Sequence, residues 1–143
     1  MFPDRETVTP DPSNRAQYSS SAEGHALRYG AEIDLTEENT SHGQVILLTG
    51  RGKKVLEVGS ATGSMTRVLQ ERECRVTCIE IDPAAAEVGR EFCERMVVGS
   101  IEKLDLPGLF AGELFDVVIF SDVLEHLVDP AATLCAVRPL LAP

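Results

Sequence analysis

The part of this chain with the clearest chemical content is a glycine turn near its middle. An apolar run, residues 55–58, is interrupted only by Glu57 and leads into a turn that contains Gly59 and Gly63. Helical periodicity begins directly afterwards, at Ser64. A strand, a tight turn and a helix N-terminus in this order let backbone N–H groups approach a bound ligand closely. We therefore predict a ligand site at this turn.

Two common nucleotide-binding motifs fit the turn poorly. The dinucleotide fingerprint G-x-G-x-x-G requires glycine at two positions where this chain has Ala61 and Ser64. A phosphate-binding P-loop would contain Gly-Lys-Ser/Thr, which does not follow here. The pattern that remains is an acidic residue two positions before a glycine, with a second glycine four positions later. A glycine turn with a purely structural role is the alternative, since such turns are common.

This pattern resembles motif I of the class I S-adenosylmethionine (SAM) dependent methyltransferases, with Ala61 in place of the usual middle glycine. SAM has no phosphate, but its carboxylate suits a helix N-terminus, and its ammonium and sulfonium favour a nearby carboxylate such as Glu57. The resemblance implies that SAM is the cofactor. It also implies that the turn contacts SAM through Gly59, Ser60, Ala61 and Gly63.

A second predicted strand, residues 75–80, ends in Glu80, which lies 21 positions after Gly59. Rossmann-type units place an acid roughly 20 residues after the first glycine, against the ribose hydroxyls. A carboxylate can accept hydrogen bonds from both hydroxyls, so Glu80 is a predicted ribose ligand. Ile81 would form an apolar wall for the adenine. A solvated strand end is the alternative for Glu80, and the following Asp82-Pro83 predicts a helix start.

The third predicted strand starts at Arg95 and stops at Gly99. In the methyltransferase family an Asp commonly follows this strand and contacts the adenine amino group. Ser100 holds that position here, and Ile101 can offer its backbone N–H to the ring. The resemblance therefore implies adenine contacts at Ser100 and Ile101, with the usual carboxylate replaced.

The fourth predicted strand, residues 115–120, and the S-D-V-L-E-H-L that follows resemble the FD and VLEHL segments of type-11 and type-12 methyltransferases. Open α/β sheets bind ligands at the carboxyl edge of their strands, so Ser121 is a predicted cofactor contact. His126, as general base, and Asp122 are the predicted catalytic residues, with capping or packing as the alternative for His126. Their i, i+4 spacing would place both on one face of a helical turn. Glu125 and His126 alone are too few ligands for a metal site, so no metal is predicted.

The four motifs predict an α/β fold: a Rossmann-like, doubly wound parallel sheet, truncated after about strand four. Residues 1–22 are predicted to be a mobile tail, residues 23–50 N-terminal cap helices, and residues 51–143 the incomplete SAM-binding domain. The family has seven strands, and strands five to seven do not follow. We therefore expect an N-terminal part of a longer protein, or a chain cut at this point. The apolar fourth strand would then be an exposed edge, which favours self-association.

Within the cap, a helix is predicted from His42 to Leu48, closed by Gly50. Pre-strand helices of the resembled family often pack over the SAM site, so Asn39, Ser41 and His42 could face ligand. Helix capping is the alternative for these side chains.

Composition excludes several classes of protein. The chain has 143 residues and a formal net charge of −10, and no basic cluster exceeds Arg51 to Lys54, so nucleic acid is disfavoured as a partner. No apolar stretch approaches the roughly 18 residues of a membrane helix. The N-terminus lacks the layout of a secretion signal, which favours the cytoplasm. The four cysteines form no C-x-x-C pair and lie in apolar patterns, which predicts buried, reduced thiols.

Three functions remain open. The sequence favours a SAM-dependent methyltransferase, present as its cofactor-binding portion, with a small-molecule or glycan acceptor. A SAM-binding or scaffold module without catalysis is the first alternative. An NAD(P)-dependent oxidoreductase is the second, weakened by Ala61 and Ser64.

Overall fold

The computed structural model describes residues 40–143, and in that part of the chain four strands form one parallel sheet in the order β3-β2-β1-β4. The strands are β1 (Lys54–Val58), β2 (Arg75–Glu80), β3 (Arg95–Val98) and β4 (Val117–Phe120). The predicted α/β class and the parallel sheet are thus confirmed. Asn39, the predicted tail and most of the predicted cap lie outside the described residues.

Helices connect these strands and precede the first of them. They are α1 (Ser41–Thr49), α2 (Ser64–Glu71), α3 (Pro83–Gly89), the single turn α4 (Leu106–Leu109) and α5 (Pro130–Val137). Three short 3₁₀ segments follow at Arg90–Phe92, Leu124–His126 and Arg138–Leu140. Helix α1 extends one residue beyond each end of its predicted range, and Gly50 closes it with a positive φ of 82°.

Local side chains explain where the helices begin. Thr40 caps α1 by accepting the backbone N–H of Gly43 at 3.0 Å. Asp82 caps α3 through the N–H of Ala84 at 2.8 Å, with Pro83 in the first turn, as predicted. Each cap satisfies a backbone donor that the helix itself leaves unpaired. The starts of these helices are therefore set by residues next to one another in sequence.

The sheet separates two apolar cores because neighbouring residues of a strand point to opposite faces. Val55 of β1 joins α1 and α2 in one core, through Ile46 and Leu69. Leu56 joins the other core, which contains Phe115. By the same alternation Glu57 lies on the face covered by α1 and α2. A carboxylate thus stands at a position that the strand pattern buries.

The last residues of the chain pair with Phe115, two residues before β4 begins. The N–H of Phe115 donates to Leu140 O at 2.8 Å, and the N–H of Ala142 donates to Phe115 O at 2.9 Å. The N–H of Asp116 points the other way and donates to Lys54 O at 2.8 Å. The C-terminal residues and β1 therefore pair with opposite sides of this segment. Within residues 40–143 this pairing stops before β4, so the outer edge of Val117–Phe120 is free, as predicted.

The cysteine prediction holds for two residues of four. Cys74 and Cys78 are buried, Cys93 is half-buried and Cys135 is exposed. Prediction of burial was wrong for Cys135, because α5 buries only Thr133 and Val137 and turns the rest of its surface outward.

Candidate active site

A cavity of about 600 Å³ opens at the carboxyl ends of the four strands. Every predicted site residue except Gly63 lines it, namely Glu57, Gly59, Ser60, Ala61, Glu80, Ile81, Ser100, Ile101, Ser121, Asp122 and His126. Residues scattered over 70 positions of sequence thus meet in one place because parallel strands share this edge. The roles of the individual residues stay predictions.

The glycine turn forms the floor of the cavity with an unusual backbone. Gly59 has a φ of 78°, and a Cβ there would collide with Cγ2 of Val123. Ala61 also has a positive φ, 49°, at the position where motif I usually has its middle glycine. A non-glycine residue in this conformation costs roughly 1 kcal/mol or more. The turn has this conformation although Ala61 stands where glycine, which adopts a positive φ at little cost, is usual.

Gly63 faces away from the cavity. Its φ is 84°, and a Cβ there would lie 2.8 Å from Cδ2 of Phe92 and 3.0 Å from Cα of Gly89. The predicted ligand contact at Gly63 therefore has no place in the cavity lining. Gly63 lets the start of α2 approach the end of α3, which is a packing role.

Glu80 points at the glycine turn and is 6% exposed. Its Oε2 accepts the backbone N–H of Ala61 at 2.7 Å, and its Oε1 accepts the N–H of Asp82 at 2.9 Å. The first bond explains how the strained Ala61 is held. Each carboxylate oxygen accepts more than one hydrogen bond, so both can still accept from a ligand in the cavity. The alternative of a solvated strand end does not describe Glu80.

Glu57 is a buried acid at the same edge, 1% exposed. Its Oε2 accepts the Oγ1–H of Thr66 at 2.7 Å, and Sγ of Cys78 lies 3.9 Å from the same oxygen. Burial raises the pKa of Glu57 to about 7, although the Thr66 hydrogen bond works in the opposite direction. Ser60 is 4% exposed, and its hydroxyl has no hydrogen-bond partner within residues 40–143. An acid and an orphaned hydroxyl, both buried, thus face a cavity that can hold a cation.

Two thiols lie beside Glu57. A hydrogen bond from Cys78 lowers the pKa of Cys93 to about 7, and the same contact, with burial, raises the pKa of Cys78. A thiolate at Cys93 would add to the cost of ionising Glu57.

On the β4 side the geometry differs from the sequence expectation. Asp122 precedes the 3₁₀ turn Leu124–His126 and has a left-handed φ of 54°, so the predicted i, i+4 helical face does not form. Its Oδ2 lies 3.0 Å from Nε2 of His42, which comes from α1 and also lines the cavity. Asp122 is therefore paired with His42, and the side chain of His126 makes no hydrogen bond within residues 40–143.

Sequence reasoning left several lining residues unnamed. Val58, Ser64, Met65, Ile79, Gly99, Glu102, Val123 and Leu127 also face the cavity. Val123 and Leu127 belong to the VLEHL segment, so that motif was the available signal. No sequence motif indicated Glu102, because the residue it bonds is 27 positions away. Its Oε1 accepts the N–H of Asp129 at 3.0 Å.

Two kinds of feature are absent from residues 40–143. No group of three His, Cys, Asp or Glu side chains stands close enough to hold a metal ion. No helix of this region is long and apolar enough to cross a membrane.

A parallel sheet with a glycine turn after its first strand and acids at the ends of its first two strands defines a class of cofactor-binding α/β protein. The chain belongs to the methyltransferase domain family, whose profile matches residues 56–143. This match confirms the resemblance drawn from the four motifs.

Relatives and solved structures agree with this membership. The chain is 30% identical over 100 residues to the ubiquinone biosynthesis O-methyltransferase of Stutzerimonas stutzeri, covering 64% of this chain and 41% of that protein. It is 30% identical over 94 residues to a demethylmenaquinone methyltransferase of Tropheryma whipplei, covering 64% and 38%. A TehB-like SAM-dependent methyltransferase from Corynebacterium glutamicum shares the fold, with a TM-score of 0.63, 18% identity and coverage of 86% and 68%. The chain thus spans about two fifths of the length of these curated relatives.

The raised pKa of Glu57 predicts an unusual dependence of stability on pH. Its folded-state pKa of about 7 exceeds the ordinary 4.5, so the folded protein binds the extra proton between these values. Stability from this group is present below pH 4.5 and is lost as pH rises through 7, by about 3 kcal/mol in total. We expect the free energy of unfolding, measured with urea, to fall between pH 5 and pH 8. The fall should be about 2–3 kcal/mol larger in the wild type than in Glu57→Gln.

Titrating groups that do not interact with Glu57 are common to both proteins and cancel in this comparison. Glu71→Gln, at an exposed position of α2, is the matched control and should behave as the wild type. Identical pH dependence in the wild type and Glu57→Gln would show that Glu57 does not titrate with a raised pKa.

Proposed function

We propose that this chain carries the cofactor site of a SAM-dependent methyltransferase. The observation that carries the proposal is the position of Glu80, whose carboxylate is bonded to the glycine turn and faces the same cavity as buried Glu57. A cavity of about 600 Å³ is within the size range of small-molecule and cofactor sites. Family membership supports the same assignment.

The residues present fit the parts of SAM one by one. Glu80 suits the ribose diol, because both of its oxygens retain acceptor capacity. Ile81, 67% exposed at the cavity, offers an apolar surface for the adenine, next to Ser100 and Ile101. Glu57 and the unpartnered Ser60 hydroxyl suit the ammonium and carboxylate of the methionine part. A cationic group beside Glu57 would favour its ionised form and would lower its pKa.

SAM supplies an activated methyl group on a sulfonium, and the protein's contribution is chiefly alignment. Holding acceptor, methyl group and sulfur in line can lower the barrier by about 7–11 kcal/mol at the extreme. The acceptor would lie on the β4 side, between Ser121, Asp122 and His126, because the other strand ends are used by the cofactor. Asp122 and His126 are the candidates there for handling the acceptor's proton.

We propose a small molecule as the methyl acceptor. The two curated relatives are named for steps on ubiquinone and demethylmenaquinone, and the cavity lining on the β4 side includes the apolar Val123 and Leu127. An aromatic hydroxyl fits such a wall better than a sugar does, so a glycan is the second candidate. The two candidates are distinguished by offering either 3,4-dihydroxybenzoate or a simple sugar as the acceptor and measuring the release of S-adenosylhomocysteine (SAH).

Calorimetry tests the cofactor assignment directly. We expect SAH to bind with measurable heat and NADH to give none, because the turn lacks two glycines of the dinucleotide fingerprint. Binding at pH 6 should also release protons, seen as heat that varies with the ionisation enthalpy of the buffer, while Glu57→Gln should release fewer. Binding of NADH but not SAH would replace the proposal with an oxidoreductase. Binding of SAH without turnover of any acceptor would favour the scaffold alternative.

We also propose self-association through the open part of the β4 edge. Leu141, 42% exposed, bridges Phe115 just before this edge, and an apolar strand edge pairs readily with a second copy. Light scattering should give a dimer mass that falls on dilution, whereas a monomer at high concentration would contradict the proposal. We also propose the cytoplasm as the compartment, because the four cysteines show no spacing that predicts a disulfide framework.

A further inference from the structure

One side-chain contact in the site joins two elements that are far apart in sequence. Nε2 of His42, in the first turn of α1, lies 3.0 Å from Oδ2 of Asp122, which follows β4, with 80 positions between them. Both side chains line the cavity, and they are 40% and 66% exposed. The pair therefore crosses the cavity on the side away from Glu80.

The backbone at Asp122 is specialised for this position. Its φ of 54° lies in the left-handed region, which most side chains avoid and which Asp and Asn tolerate best. Asp122 follows Ser121 in sequence, and its carboxylate therefore lies at the carboxyl end of β4. On the other side, α1 is anchored by Ile46, which is fully buried in the core with Met65 and Leu69. His42 is therefore held by a packed helix, and Asp122 by its position two residues after β4.

This pairing determines which nitrogen of His42 can act as a base. The carboxylate of Asp122 accepts a hydrogen bond from Nε2–H, so in the neutral ring the lone pair is on Nδ1. When Nδ1 takes a proton, the imidazolium is stabilised by the adjacent carboxylate. His126 lacks any such orienting partner among residues 40–143, and its ring is exposed.

We infer that His42 and Asp122 form a base dyad for the methyl acceptor, with Asp122 as the positioning residue and His42 as the catalytic base. The inference rests on the proposed methyltransferase function and names the group that removes the proton of a hydroxyl acceptor. The acceptor oxygen forms its bond to the methyl carbon as the carbon–sulfur bond breaks and its electron pair passes to sulfur. The O–H proton moves to Nδ1 of His42, and neutral SAH sulfur and imidazolium result.

The first test reads the tautomer and does not depend on turnover. The chain has three histidines, so ¹⁵N-detected imidazole spectra can be assigned by single substitutions. We expect neutral His42 to be in the Nε2–H form in the wild type and a mixture of both forms in Asp122→Asn. Asn is the right replacement because it tolerates the same left-handed backbone and presents an NH₂ donor as well as an acceptor oxygen, so it no longer fixes the tautomer of the ring. A His42 tautomer that is unchanged by Asp122→Asn would overturn the dyad.

The second test measures kinetics with the acceptor found active in the hydroxybenzoate assay. A general base contributes about 10²- to 10⁴-fold, so His42→Gln should lower kcat at least 100-fold while the KM for SAM and the affinity for SAH change little. Asp122→Asn should lower kcat less, and the double variant should add little to His42→Gln, because the two residues act as one unit. Glu71→Gln, an exposed acid on α2, is the control for loss of one negative charge.

Two outcomes of the kinetic test would contradict the inference. One is a His42→Gln enzyme with kcat within threefold of the wild type. The other is a larger loss of kcat in His126→Gln than in His42→Gln, which would assign the base to His126. Failure of the proposed function is recognised separately, because it appears in the wild type as absent SAH binding or as SAH binding without turnover of any acceptor.

Discussion

Replacement of Glu80 by Gln is expected to weaken SAH binding about 10- to 100-fold. Hydrogen bonds to a charged group contribute about 1.5–3 kcal/mol each, and 1.4 kcal/mol corresponds to a factor of ten in affinity. An amide keeps one acceptor oxygen, but its NH₂ group would face either the N–H of Ala61 or that of Asp82, where the carboxylate now accepts. Calorimetric titration of both proteins with SAH measures the loss.

The ribose contact must be separated from the contact that holds the turn. Titration with 2′-deoxy-SAH does so, because the wild type should lose affinity for this ligand while Glu80→Gln should bind SAH and its deoxy analogue nearly equally. Glu71→Gln should bind both ligands as the wild type does. If Glu80→Gln discriminates between the two ligands as strongly as the wild type, Glu80 holds the turn and does not bind the ribose.

Replacement of Gly63 by Ala is expected to cost about 2–4 kcal/mol of stability. The positive φ of 84° alone costs an alanine roughly 1 kcal/mol. The new methyl group would also overlap the Gly89 backbone and the Phe92 ring, and overpacking of this kind costs about 1–3 kcal/mol. Urea unfolding at one pH, with equal slopes checked, gives the difference.

A second glycine of the same chain provides the matched control. Gly112 has a similar φ of 73°, but a Cβ there would meet no atom within 4 Å. Gly112→Ala should therefore cost only the backbone strain, roughly 1 kcal/mol. Equal losses at the two positions would show that close approach of α2 and α3 does not explain Gly63.

The local pattern of the sequence was sufficient for the secondary structure and for most of the site. Strand β1, the glycine turn and α2 follow from residues next to one another, as do the caps Thr40 and Asp82 with their short-range hydrogen bonds. Glu80 could be predicted because its position relative to Gly59 is fixed by one strand–helix–strand unit. Parallel strands then bring their carboxyl ends to one edge, which is why eleven of the twelve predicted site residues share one cavity.

Long-range packing determined the remainder. Gly63 matches motif I in sequence. The packing of α3 determines whether Gly63 contacts a ligand or the backbone of Gly89. The partner of Asp122 is 80 positions away, and the i, i+4 spacing predicted to place Asp122 and His126 on one face has no such effect once Asp122 takes a left-handed backbone. Exposure of Cys135 likewise depends on which side of α5 meets the sheet. The sequence by itself therefore determined the fold class and the cofactor edge, since both arise from short-range periodicity. Only the tertiary structure decided which side chains face one another across the cavity, because those contacts depend on how separate elements pack.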